Sequence, residues 1–151
     1  MGRILDGIKS FFTSDDWKFD ENAGDGILRM SFRGKDGAWR CIGRAREEQE
    51  QFIFYSILDL NTPEPRRTEM AEFLTRANYG MIIGNFELDF SDGEVRYKTS
   101  IDFEGSVITD ALCKQVVYAN VYTVDRYFAG IMAVAFGGQS AAEAIKAIEN
   151  A

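Results

Sequence analysis

The sequence predicts a single α+β domain, residues 1–151, in which one antiparallel sheet packs against helices in the order αββββαββαα. Three observations carry that prediction. Apolar residues recur at helical spacing near both ends and once in the middle. Between those segments lie runs rich in aromatic and β-branched residues, separated by glycine-containing turns. The chain has 151 residues, 46% of them hydrophobic and 27% charged, which is the size and composition of one soluble globular domain with a core of its own.

The elements follow in order. Ile4, Leu5, Ile8, Phe11 and Phe12 fall on one helical face, so residues 2–13 read as a short amphipathic helix. Strands are expected at 17–20, 27–34, 38–46 and 51–60, with Lys35-Asp36-Gly37 turning the chain between the second and third. Thr62 can cap a helix, Pro63 suits its first position, Met70, Phe73, Leu74 and Ala77 share one face, and Gly80 follows its end. Two strands around Asp92-Gly93 come next, then a long helix over about 108–135. Ser140-Ala-Ala-Glu143 is a capping box that opens a last helix running to about 149.

Composition narrows the function classes. The chain has no histidine, which removes the commonest general base, zinc ligand and neutral-pH switch. A net charge of −7 repels phosphate backbones and argues against nucleic acid as partner. No apolar run approaches the ~18 residues of a membrane span. The first residues lack the features of a signal peptide, and Asp6 stands where a myristoylation signal needs Ser or Thr. Cys41 and Cys113 lie in apolar contexts and read as buried thiols of a reducing compartment. The expected location is cytoplasmic.

The stretch FELDFSDGEVRYKTSIDFEG, residues 86–105, holds six acidic side chains and raises the question of a metal or proton-transfer site. A two-residue Asp92-Gly93 turn would place Asp89 opposite Arg96 and Glu87 opposite Lys98, with Leu88–Tyr97 and Phe90–Val95 on the other face. The oxygen spacing of a calcium loop is absent. The segment is expected to be a hairpin scaffold, so no catalytic, cofactor or metal residue is assigned and no enzyme activity is expected.

The hairpin of residues 27–46 is different. With a two-residue or a four-residue loop, Arg29, Arg33, Arg40, Arg44 and Arg46 share one face. Residues 29–46 carry six basic side chains and one acidic one in a chain that is acidic overall. One reading is a solvated outer face balanced by Glu47, Glu48 and Glu50. The sharper reading is a recognition face for an acidic segment of another protein, to which Ile53, Tyr55 and Ile57 contribute if register is kept. On the long helix, Leu112, Val116, Ala119, Tyr127, Ile131 and Val134 form a core stripe, and Asp110, Lys114, Tyr118 and Asp125 mark its wet side. Val121, Phe128 and Met132 extend past that stripe. Either the terminal helix covers them or they form the self-association surface of a homodimer.

Three segments carry a family resemblance: Asn78-Tyr79-Gly80, Asp92-Gly93-Glu94-Val95 and Ala141-Ala-Glu-Ala-Ile145. With them, residues 50–148 resemble the bacterial YbjN-domain family, described as sensory-transduction regulators. The resemblance implies a fold like that of the type III secretion chaperones, and protein binding, often as a homodimer. It implies no catalytic residue and no cofactor. The function expected is a non-catalytic protein-binding regulator or chaperone. The rival is a small-molecule sensor in which Trp17, Trp39 and neighbouring aromatics line an apolar pocket.

Overall fold

A computed structural model describes residues 2–22 and 24–150. Helix α1 (Arg3–Ser14) leads into strands β1 (Asp20–Glu21), β2 (Ile27–Arg33), β3 (Ala38–Arg46) and β4 (Gln51–Asn61). A 3-10 turn (Glu64–Arg66) precedes α2 (Arg67–Asn78). Then come β5 (Asn85–Leu88), β6 (Glu94–Asp102), α3 (Asp110–Phe136) and α4 (Ala141–Glu149). The expected order αββββαββαα is the observed one. All strand pairs are antiparallel, in the spatial order β1-β2-β3-β4-β6-β5.

Alternation along the strands sends Leu28, Met30, Trp39, Cys41, Phe52, Phe54, Tyr97 and Phe86 to one face, where all are buried under the helices. The intervening residues form the other face, which no helix covers. A bulge in β4 between Ile57 and Asn61 shifts its register against β6; before it, Ser56 and Leu58 are buried on the helix side, and Ile57, on the opposite face between Arg40 and Arg96, is buried too.

Two boundaries differ from the sequence reading. The expected strand at 17–20 shrinks to Asp20–Glu21, because the Trp17 amide is used to close α1, donating to the Phe12 carbonyl at 2.9 Å. Thr62 caps no helix. Its amide donates to the Gly93 carbonyl (2.8 Å), its carbonyl accepts from Arg67 Nε (2.9 Å), and its hydroxyl is buried with no hydrogen-bond partner. The β5–β6 turn holds it, and the helical residues begin as a 3-10 turn instead. Gly93 has φ 83°, and a Cβ there would collide with the Thr62 backbone, so this contact requires glycine. At the last helix the Ser140 cap forms as expected, the Glu143 amide donating to Ser140 Oγ at 3.2 Å, while Glu143 Oε1 accepts the Ser140 hydroxyl at 3.1 Å rather than its backbone amide.

A buried polar knot seats α3 on the sheet. Trp39 Nε1 donates to Ser56 Oγ (2.9 Å), and Ser56 Oγ donates to Asn120 Oδ1 (2.6 Å). Asn120 Nδ2 donates to the Phe54 and Tyr97 carbonyls at 2.9 and 3.2 Å, and Thr99 Oγ1 donates to the Val116 carbonyl at 2.9 Å. Ser56, Thr99 and Asn120 are all buried, so each bond replaces water that cannot enter. Asn120→Leu strands the Ser56 hydroxyl and two strand carbonyls together. It is expected to lower stability by about 3 kcal/mol, read as a lower urea midpoint at unchanged slope; an unmoved midpoint would make the knot dispensable.

Candidate functional site

The uncovered face of the sheet is the candidate site, and register defines it. One row across it runs Asp20, Arg29, Ile42, Tyr55, Lys98, Asn85; the next runs Ser31, Arg40, Ile57, Arg96, Glu87; a third runs Ile27, Arg44, Ile53, Ser100. Arg33 lies opposite Ala38, and Arg46 opposite Gln51. All five arginines therefore share this face with Ile42, Ile53, Tyr55 and Ile57. Arg29, Arg33, Arg40 and Arg44 are exposed and Arg46 is half-buried.

The loop between β2 and β3 has four residues, so no arginine stands directly opposite another. Asp125 of α3 explains why that loop forms: its carboxylate accepts the Lys35 and Asp36 amides, both at 2.9 Å. The wet-side reading of Asp125 is thus corrected; it fastens the arginine hairpin to the long helix. Glu47 does the same at the other end of β3, accepting the Ile4 and Leu5 amides at 3.0 and 2.7 Å, where the start of a helix favours an anion. Glu50 pairs with Arg3 at 2.8 Å. Of the three glutamates that one reading sets against the arginines, Glu47 and Glu50 are directed to α1 instead, and Glu48 is exposed and forms no ion pair among the described residues.

Among the described residues, Arg40 pairs with Asp59 at 2.7 Å and Arg46 donates to Gln51 at 2.9 Å, whereas Arg29, Arg33 and Arg44 form no ion pair. Asp20 faces Arg29 in register without closing on it. Across the apolar strip the charge is already met. Arg96 lies 4.5 Å above the Tyr55 ring and pairs with Glu87 at 2.7 Å, and Lys98 reaches the same carboxylate at 3.1 Å.

The acidic hairpin is a scaffold with a register displaced by two residues from the expected one. Glu87 pairs with Arg96 and Asn85 with Lys98. The turn has four residues, closed by Asp89 N to Glu94 O (3.0 Å) and Gly93 N to Asp89 O (2.7 Å). Asp89 bonds the Ser91 amide and hydroxyl rather than Arg96, and Asp92 and Asp102 accept the Glu94 and Glu104 amides. An even displacement keeps every side chain on its face, except that Phe90 moves into the turn and is exposed.

Of the expected self-association residues, Val121 is fully buried against the sheet. Phe128 is half-buried, its ring stacked on Trp39 at 5.8 Å. Met132 is 37% exposed. The terminal helix covers part of the surplus surface, since Gly130 admits Ile148 so closely that a Cβ would collide with it. What remains open is Tyr122 (62% exposed) and Phe136 (58%) on α3, with Tyr79 (91%) and Ile82 (93%) in the loop after α2. Only exposure could have distinguished these from core residues, and periodicity does not report it.

Of the two tryptophans, only Trp17 lines a cavity, an open one of about 420 Å³ shared with Phe32, Arg33 and Tyr118. Trp39 fills the core, and Trp17 stacks on Phe32 with its indole donating to Asp15 at 3.0 Å. Both cysteines are free and buried, and burial pushes the thiols up, to about 12 for Cys41 and about 11 for Cys113.

One antiparallel sheet with four helices on one face is a fold like that of the type III secretion chaperones. The sequence pattern of the YbjN family, described as "Putative bacterial sensory transduction regulator", matches residues 5–132. The chain belongs to the YbjN family. That match takes in the N-terminal elements missing from the sequence resemblance and ends before the Ala141–Ile145 segment counted in it. The crystal structure of YbjN, "a putative transcription regulator from E. coli", aligns at TM-score 0.63 and 12% identity, over 80% of this chain and 85% of that one. ExsC, from the ExsC–ExsE complex, aligns at TM-score 0.56 and 11% identity, over 84% and 94%. The HopA1–SchA chaperone–effector complex aligns more weakly, at TM-score 0.49 and 17% identity over 76% and 84%. A search of the curated proteins returned no significant match.

Burial pushes the Glu87 carboxyl up, but the hydrogen bonds and charges of Lys98 and Arg96 outweigh it and hold it below its usual range. A carboxyl depressed in the folded state stabilises the fold above its unfolded pKa, and that contribution is lost as pH falls through the folded one. Stability should therefore decline with acidification below about pH 4.5, and Glu87→Gln should flatten that decline in urea titrations taken across the interval. Identical pH profiles would show the ion pairs to be idle.

Proposed function

We propose that this YbjN-family chain is a non-catalytic, protein-binding regulator or chaperone of the cytoplasm, and that it engages an acidic segment of another protein through the open face of its sheet. One observation carries the reading. Arg29, Arg33 and Arg44 flank one side of an apolar strip and lack carboxylate partners among the described residues, while nearby Glu47 and Glu50 are committed to α1. Unpaired arginines beside aromatic and aliphatic side chains are what protein recognition uses. The fold is consistent with it, since ExsC shares it and was solved in a complex with ExsE. No helix among the described residues is long and apolar enough to cross a membrane.

Capture from cell lysate at two salt concentrations tests this. The chain should retain a stoichiometric protein that elutes at the higher salt, and R29E/R33E/R44E should fold normally by circular dichroism and retain none. Equal capture by the variant would reduce the arginines to solvated surface.

A homodimer belongs to the same reading, through the apolar surface that α3 leaves exposed: Met132 as expected, with Tyr122 and Phe136 in place of Val121 and Phe128. Sedimentation equilibrium should show a dimer that Tyr122→Glu with Phe136→Glu dissociates. A sedimentation mass unaffected by that double change would remove α3 from self-association.

A further inference from the structure

Resting on the protein-binding reading, we infer that the occupant of the open face is an amphipathic α-helix of the partner, carrying acidic side chains along its flank. The floor on which it lies is formed by the half-buried Ile42, Ile53 and Tyr55, with Ile57, only 7% exposed, at one end. Arginines of β2 and β3 form one bank of that floor, and Arg96 and Lys98 of β6 form the other. Along the Tyr55 row, Arg29 of β2 and Lys98 of β6 are three strand spacings apart, roughly 14 Å, while Arg40 of β3 and Arg96 are two apart, roughly 10 Å. A helix with side chains is about 10–12 Å across, so over the Tyr55 row there is room for one helix and not for two, with Arg40 and Arg96 closing in at the Ile57 end. From Ile53 to Ile57 the floor is about 13 Å long, the rise of two to three helical turns.

Backbone chemistry selects a helix over an extended segment. A strand laid across isoleucine side chains would bury amides and carbonyls with nothing to pair them, whereas a helix satisfies its own. Pairing at a sheet edge would be the extended alternative; one edge, β1, offers only the two residues Asp20–Glu21, and β5, the other, is blocked at Phe86. The Asn78 side chain accepts the Phe86 amide at 2.7 Å and donates to the Phe86 carbonyl at 3.1 Å, occupying the groups a new strand would need. This gives Asn78, the first residue of the Asn-Tyr-Gly segment, a physical role.

Charge fixes the partner's sign and its orientation across the face. Glu87 already meets Arg96 and Lys98, so the carboxylates belong on the side facing Arg29, Arg33 and Arg44. The chain's net charge of −7 repels an acidic partner elsewhere, which confines the attraction to this face.

Two labelled peptides test the inference against the full chain. One is an amphipathic helix former with leucines at helical spacing and glutamates along one flank; the other has the same charges and leucines with two central prolines. Anisotropy should show the first binding, with proline weakening it at least about tenfold and R29E/R33E/R44E weakening it by about tenfold or more. Methyl resonances of Ile42, Ile53 and Ile57 should shift on binding. Equal binding of the two peptides would overturn the helix while leaving an acidic protein partner standing. Binding by neither, shifts confined to the surface of Tyr122 and Ile82, or displacement of the peptide by an RNA oligonucleotide or by a second copy of the chain would each overturn it as well. The partner reading itself is decided separately, by capture.

Discussion

The side-chain amide of Asn120 is the constraint on which the rest of the molecule depends. Its two hydrogens and its oxygen reach the Phe54 and Tyr97 carbonyls and the Ser56 hydroxyl, spanning the central strands β4 and β6. A rotation or slide of α3 would break all of these at once in a place that water cannot reach. Other contacts then inherit the position of α3. Asp125 meets the β2–β3 turn, Tyr118 donates to Asp15 at 2.6 Å, Gly130 receives α4, and the Val134 carbonyl accepts Arg66 at 2.8 Å. Glu69 completes the junction by accepting the Ala141 amide at 2.6 Å.

With every helix held on one side, the other side of the sheet is left to solvent, and its charge depends on where the carboxylates go. Glu47 and Asp125 satisfy amides at opposite ends of β3, and Asp89, Asp92 and Asp102 close turns. Such local bonds use acidic groups as structural fasteners. An acidic chain thereby presents a basic face, because its acids are spent at helix ends and turns while arginines occupy the outward positions of β2 and β3. Net charge alone describes this surface poorly.

Much of the fold was legible in the residues, and the site was legible in part. The arginines' common face follows from parity alone, so it holds for either loop length. Tyr55 was placed correctly by the same alternation. Val121 was not, because α3 is buried on more of its circumference than a helix lying on a sheet alone: β4 and β6 lie beneath it and α1, α2 and α4 beside it. Hydrophobicity marks a residue that avoids water without saying whether its own chain or a second one provides the cover. The displaced β5–β6 register has a similar origin. Asp-Gly favours a two-residue turn locally, and the grip of Thr62 on Gly93 belongs to a contact some thirty positions away.

By itself the sequence determined the class of fold, the order of the elements, the faces of the strands and the segregation of arginines, because all of these follow from periodicity and local turn chemistry. Only the tertiary structure decided which carboxylates remain near those arginines, which apolar residues of the long helix stay exposed, and which strand edge is closed. Those outcomes depend on side chains distant in sequence competing for the same donors and the same buried surface. Glu47 at the N-terminus of α1, Asp125 at the β2–β3 turn and Asn78 on the edge of β5 each settled one such competition.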